Sequence, residues 1–382
     1  MQVFSPEAVR ALTNADADLE SRLAAAARAA DLTVPSPDEE VWRYSRIAEL
    51  DLGQFVPGRA VTTVQAPSGV SVAQGAPLGR PDTEPAVDVF HELNRAFMDV
   101  IVISVPAGRV VSEPVLVTHR IDREGLACFP RLVIDAGADS EVTVVEQFES
   151  PDGLRALCVP RLEVDVAQAG RVRYLGVNTL GTSTWSLAHQ RAIGARDSNT
   201  LLATVALGGD YARVRTEARV VGQGASTRQI ALYYADGDQM HDFRTMQDHA
   251  APKTHSDLLF KGAVQGRAKS VYTGLIKIRH DAKGSAAFQT NRNLTLSSGA
   301  WAESVPNLDI ETNDVKCSHA STVGPIDDDQ RFYLESRGIP PHIAERLVVL
   351  GFFDEVLEQL PVGPLASQLR QQVSAKLERK TS

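Results

Sequence analysis

The spacing of apolar positions divides the chain into three stretches. Through the first hundred residues it is mostly helical. Ser5-Pro6 supplies an N-cap and a proline suited to a first helical position, and Leu19, Leu23, Ala26 and Ala30 recur at helical spacing across residues 19–32. Pro35-Ser36-Pro37 ends that helix, and Asp38-Glu39-Glu40 opens a short segment holding Trp42 and Tyr44. Residues 52–85, rich in Gly, Pro, Thr and Ala, read as irregular strands and loops, and residues 88–98 return to helical spacing through Val89, Leu93 and Phe97. Near Asp99 the period drops to two. From there to about residue 318 short β-rich runs follow one another with Gly, Asp, Asn or Ser turns between them. Ala212, Val214, Thr216, Ala218 and Val220 alternate with Arg213, Arg215, Glu217 and Arg219, and Ile276 and Ile278 with Lys277 and Arg279. Strands this numerous, with almost no helix between them, require a sandwich, barrel, propeller or β-helix. No propeller-like repeat is visible. Irregular spacing of the runs fits the unequal turns of a β-helix best, with a sandwich left open.

After Gly324 the helical period returns. Asp327-Asp328-Asp329 sit at a helix N-terminus, where the macrodipole favours acids, and Gly338 stands where a C′ glycine belongs. Pro340-Pro341 opens a second helix through Ile343, Leu347 and Leu350, which Gly351 is expected to interrupt and Pro361 to end. Leu365, Leu369, Val373 and Leu377 then form one apolar stripe, which more often packs on its own domain than on a partner. The expected division is a mostly helical N-terminal domain (1–98), a β-helix core (99–324) and a helical C-terminal domain (325–382).

Composition narrows the function classes. In 382 residues, 39 Lys and Arg against 48 Asp and Glu give a net charge of −9, which disfavours broad nucleic-acid binding. Cys128, Cys158 and Cys317 are far apart and form no disulfide framework. No run approaches the length of a membrane span, and the N-terminal residues lack the pattern of a signal peptide, so a cytoplasmic protein is expected. Gly262 to Ser270 resembles a phosphate loop, but the glycine spacing and the lysine position both fail. His241, His249, His255 and His280 match no ligand spacing. Asp309 and Glu311 are expected to share one face of a strand, a pair that would suit a carbohydrate-active β-helix, although a solvated strand face is the commoner meaning. Val315-Lys316-Cys317-Ser318-His319 is more informative. If extended, it points Cys317 and His319 the same way, a thiol and an imidazole suited to iron, zinc or an iron–sulfur cluster; a buried structural cysteine is the alternative. Two ligands cannot close a four-coordinate site, so the rest would come from distant strands, cluster sulfide or another chain.

Residues 302–356, with the run PNLDIETNDVKCSHASTVGPIDDDQRFYLESRGI, resemble the C-terminal signature of the SufB/SufD family of iron–sulfur cluster assembly proteins. Residues 39–52 (EEVWRYSRIAELDL), residues 91–117, VVEQF at 144–148 and KTHSDLLFKG at 253–262 are similar to further stations of the family. Retention of the K-C-S-H run, and the lack of a cysteine-rich N-terminal element, place the resemblance on the SufD side. Ala320-Ser321 stands where Gly-Ala is usual, and only local backbone adjustment is expected from it. The resemblance implies a right-handed parallel β-helix between helical ends and a non-catalytic scaffold subunit. It implies pairing with a SufB-like paralogue and docking of a SufC-like ABC ATPase, with no nucleic-acid or membrane partner. It also implies a nascent cluster site at the subunit interface to which His319 and Cys317 contribute. No cofactor is expected to stay tightly bound to the isolated chain; iron or an iron–sulfur cluster would be held transiently with the partner. A SufB-like or homo-oligomeric scaffold, including a homodimer of the isolated chain, is the alternative. Phe332, Tyr333 and Leu334 are expected in the core individually, whereas Arg337 is hard to bury unpaired. As part of the family-like ATPase-docking segment, Phe332, Tyr333 and Arg337 are the candidate partner contacts. Removing residues 327–382 is expected to abolish that docking and leave the β-region folded.

Overall fold

In the computed structural model, which describes residues 3–12, 18–75, 77–78, 82 and 84–378, the alternating runs form a parallel β-helix. The first sheet runs in space from Ser71–Gln74 and Asp99–Val105 through Pro130–Ala136, Arg161–Val166, Thr184–Gly194, Tyr211–Val220, Met240–His249 and Lys269–Ile278 to Trp301–Ile310. The second runs from Val61–Gln65 and Val115–Arg120 through Glu141–Glu149, Arg171–Thr179, Asn199–Ala206, Ser226–Ala235, His255–Val264 and Ser285–Thr295 to Val315–Gly324. Along the core the chain alternates between the sheets, and neighbours within each sheet are parallel. That pairing excludes the sandwich, whose sheets are antiparallel. Rungs differ in length: Gln190 and Thr216, bonded across adjacent rungs, are 26 residues apart, and Lys277 and Asp309 are 32 apart. This inequality is what hides the repeat in the sequence.

Side chains in register stack inside the coil. Ile103, Ile134, Val164, Ala192 and Ala218 form one row across five strands, all buried. Each buried Ile or Val contributes ~1.5–3 kcal/mol relative to exposure. Nearer the C-terminal end the lumen is polar: the Tyr233 hydroxyl donates to Asn293 Oδ1 at 2.6 Å and accepts from Asn291 Nδ2 at 3.0 Å.

Helices cover the outer faces. Over the first sheet lie α1 (Pro6–Leu12), α2 (Leu19–Asp31) and α3 (Val89–Phe97), with Ser5 Oγ accepting from the Ala8 amide at 3.4 Å at the start of α1. In the C-terminal region, α4 (Asp328–Ser336) is followed by α5 (Pro341–Leu357) and α6 (Gly363–Glu378). Val349, Phe353 and Val356 of α5 and Leu369, Val373 and Leu377 of α6 pack on Leu175, Val205, Ile230 and Leu232 of the second sheet. The α6 stripe therefore packs on its own chain. Strands apolar on both faces, such as residues 230–235, are buried throughout for the same reason.

One expectation is corrected here. Gly351 does not interrupt α5, which runs unbroken across it; a helix-interior glycine costs ~1 kcal/mol, and burial of Val349, Leu350 and Phe353 on either side outweighs it. The C-terminal helices cover an apolar sheet face that their removal would expose to water.

Candidate metal site at the open end of the β-helix

The two ends of the coil differ. At the N-terminal end Val61–Gln65 pairs antiparallel with Val115–Arg120, and Ser71–Gln74 pairs antiparallel with Asp99–Val105. At the other end, Trp301–Ile310 and Val315–Gly324 each pair on one side only, and no further described strand covers their outer edges. Unpaired edges of ten residues are templates for another chain. Pro306 lies in one of them, and sheets accept proline at such an edge. Leu308 and Ile310 are 41% and 39% exposed.

The Lys316-Cys317-Ser318-His319 run occupies this last strand. Its neighbour sets the facing: Ser285, Ala287, Gln289, Asn291 and Asn293 are buried, and they pair with Val315, Cys317, His319, Ser321 and Val323. Cys317 and His319 therefore belong to the inward row. Cys317 is half-buried against Ile276, Ile278, Ala282 and Ala287, and that burial pushes its thiol pKa up. This environment suits a packed thiol better than a thiolate. His319 is exposed and bonds no described residue. Its imidazole lies at the mouth of the lumen with no side-chain partner among the described residues. Ala320-Ser321 continues the strand in register with Thr290 and Asn291.

Other candidates resolve differently. Asp309 Oδ2 is 2.7 Å and Glu311 Oε1 3.4 Å from Lys277 Nζ, and Glu311 Oε2 also accepts from the His280 amide at 3.1 Å. The pair is thus occupied in ion pairing along a strand edge. Gly262 and Ser270 lie on successive strands, with no helix between them to bind phosphate. His241 is buried with Nε2 3.1 Å from Gly208 O, and His249 sits 2.7 Å from both Thr254 Oγ1 and Ser256 Oγ, while His255 and His280 are exposed. Among the described residues no group of three or more His, Cys, Asp or Glu is placed to hold a metal. His319 and Cys317 therefore form no closed set of metal donors among the described residues. Cys128 and Cys158 are buried neighbours on paired strands, remote in the fold from Cys317.

On α4 the expectation of burial is overturned for two residues. Phe332 is 70% and Tyr333 58% exposed, while Leu334 is half-buried. Arg337, also exposed, lies over the Tyr333 ring at 5.1 Å. The physical reason is that α4 meets no apolar sheet face of the kind that covers Phe353 on α5. Between α4, α5 and the last rung lies a groove of about 960 Å3 lined by Thr322, Tyr333, Leu334, Leu347 and Phe352.

The Trp42 segment clamps onto the first sheet. Arg213 lies over the Trp42 ring at 3.9 Å and donates to Val41 O at 2.6 Å. Arg244 donates to Arg43 O at 2.5 Å, and Arg46 to Asp210 Oδ1 at 2.7 Å.

A family model for the SufBD core domain of SUF-system iron–sulfur cluster assembly matches residues 119–352. The chain belongs to the SufBD family. It is 35% identical over 365 residues to an iron–sulfur cluster assembly SufBD family protein of Mycobacterium tuberculosis, covering 90% of each chain. It is 28% identical over 329 residues to the iron–sulfur cluster assembly protein SufD of Escherichia coli, covering 85% of this chain and 78% of that one. With SufD of Bacillus subtilis it shares 30% identity over 275 residues, 72% of this chain and 63% of that one. The chain is a component of the SUF iron–sulfur assembly system. No described helix is long and apolar enough to cross a membrane.

Sequence reasoning missed one residue of this site. Gln289 stands in register with His319 and is 2% exposed, yet neither polar atom of its side chain has a hydrogen-bond partner. Only the strand pairing identifies it, since in the sequence it is one polar residue in the alternating run FQTNRNLT.

Proposed function

We propose that this chain is a SufD-like, non-catalytic scaffold subunit that pairs through the open end of its β-helix with a SufB-like paralogue. One observation carries the reading: His319, with a free imidazole, lies on the strand whose outer edge is unpaired. A partial donor set is useful where a second chain adjoins it. The iron or iron–sulfur cluster is the substrate, held transiently between the two chains. His319 supplies an imidazole nitrogen, while Cys317 mainly supports the strand through its packing. A SufC-like ABC ATPase docks at the C-terminal helices, with Phe332, Tyr333 and Arg337 as contacts; their exposure supports this.

The test is co-expression with the paralogue and the ATPase, comparing wild type with His319→Ala. The complex is expected to assemble and the variant subunit to melt within ~0.5 kcal/mol of wild type, while the yield of cluster falls sharply. Full cluster yield from the complex carrying His319→Ala would end the ligand reading. Full yield from this chain alone would instead favour the homo-oligomeric scaffold.

A further inference from the structure

We propose that Gln289 is the positioning residue of the His319 site: its buried carboxamide binds the ring nitrogen of His319 that faces the lumen and leaves the other nitrogen for metal. The inference rests on the reading of His319 as a metal ligand.

Four observations lead to it. Gln289 and His319 are partners on adjacent parallel strands and share the inward row, so one side chain stacks on the other. The Gln289 carboxamide is buried with both polar atoms unbonded, which costs stability unless a partner arrives. Space for that carboxamide is made by Gly274 across the lumen, where a Cβ would lie 2.1 Å from Gln289 Nε2. Finally, several nearby polar groups are engaged, although Gln247 Oε1, the Gln229 carboxamide and Ser304 Oγ are also buried without partners. Tyr272 Oη is 3.0 Å from Thr245 Oγ1, and Asn291 and Asn293 bond Tyr233 and each other. Of the inward polar side chains on the last rung, Ser304 and Ser321 stand over Tyr272 and Asn291, and His319 over Gln289.

The chemistry follows from imidazole having two nitrogens. A metal-bound neutral ring keeps one N–H, and an acceptor for that N–H fixes the ring's orientation and tautomer and raises the basicity of the ligating nitrogen. Gln289 Oε1 is such an acceptor. In the free chain His319 is unbonded; metal binding at the mouth draws the ring onto the carboxamide.

The experiment uses the full-length chain, 15N-labelled at the histidine rings, titrated with Zn2+ and observed by NMR, with the His319 signals assigned from His319→Ala. In wild type, Zn2+ should engage a single His319 nitrogen while the other stays protonated. In Gln289→Leu, affinity at this ring should fall about 10–100-fold and both nitrogens should take metal, while the melting temperature should not fall. Gln289→Glu, which keeps an acceptor at the same length, should restore the single-nitrogen mode. Gly274→Ala, whose Cβ would crowd both Gln289 Nε2 and the Tyr272 hydroxyl, should also weaken Zn2+ binding at this ring. Wild-type affinity and nitrogen choice in Gln289→Leu would overturn the inference and leave the His319 reading intact. No Zn2+ response of the His319 ring in wild type would overturn both.

Discussion

Replacing Asp242 by Ala should destabilise the fold by about 3–5 kcal/mol, the range for breaking a buried ion pair from one side. Asp242 is 0% exposed. It accepts hydrogen bonds from the Tyr211 hydroxyl at 2.8 Å, from Arg244 Nε at 3.0 Å and from Arg213 Nη1. Arg213 is itself 4% exposed. Burial alone would push its guanidinium toward deprotonation, but the Asp242 carboxylate outweighs this and its pKa is raised. Without the carboxylate, a desolvated cation is left against Trp42, with the Val41 carbonyl and the neutral Tyr211 hydroxyl but no anion beside it. Removing both charges is a different perturbation. Arg213→Met with Asp242→Leu leaves no uncompensated ion, so the double variant should be more stable than Asp242→Ala. The assay is urea unfolding followed by tryptophan fluorescence, with trypsin cleavage in the Arg43–Arg46 segment as a local readout. Asp242→Ala should lower the midpoint and speed that cleavage. A loss below about 1 kcal/mol, or a double variant weaker than the single one, would refute the claim that this pair holds the N-terminal segment to the sheet.

Acidification should weaken the fold before its carboxylates protonate. Burial first, and the nearby Lys376 cation second, hold His241 down at a pKa of about 3, whereas an unfolded histidine titrates near ~6.5. The unfolded state therefore binds the extra proton, so this stability is complete above ~6.5 and drains toward pH 3 at up to ~1.4 kcal/mol per pH unit; in urea melts from about pH 7 to about 4.5, His241→Gln should flatten the slope, and an unchanged slope would exclude His241 as the source. At the C-terminal end, Phe332→Ala with Tyr333→Ala should change stability by under ~0.5 kcal/mol yet weaken ATPase capture, whereas removing residues 327–382 should make the β-region aggregate by baring the face under Phe353. A monodisperse truncated chain by light scattering would show that face to be dispensable.

The β-helix was legible because alternation such as residues 212–220 is a local property, and the terminal helices because their stripes and caps are local too. Its period was not legible, since rungs of unequal length erase any fixed repeat. The facing of Cys317 and His319 could be read from their spacing once the strand was assumed. The exposure of Phe332 and Tyr333 could not, because it depends on whether an apolar sheet face lies against α4, and among the described residues none does. Gly351 misled because local propensity was overruled by burial on both sides of it. Gln289 stayed hidden because its importance lies in register with a residue on the following rung, and register is a property of strand pairing rather than of local sequence.

The asymmetry of the two ends ties the fold to the chemistry. A parallel β-helix can add rungs indefinitely, so each end must be stopped or used. At the N-terminal end two strands turn antiparallel and occupy the edges. At the C-terminal end nothing similar is built among the described residues, and protection is slight: Pro306 on one edge, and the Lys277 ion pairs beside it. Apolar Leu308, Ile310 and Val323 are left at the surface there. The proposed donors have the same address, because His319 and Cys317 lie on that last strand. On the proposed reading, one partner would complete the sheet edges and the donor set together. That reading accounts for the proposed donors lying on the last rung rather than within the closed lumen, where Glu146, His119 and Tyr174 already satisfy one another.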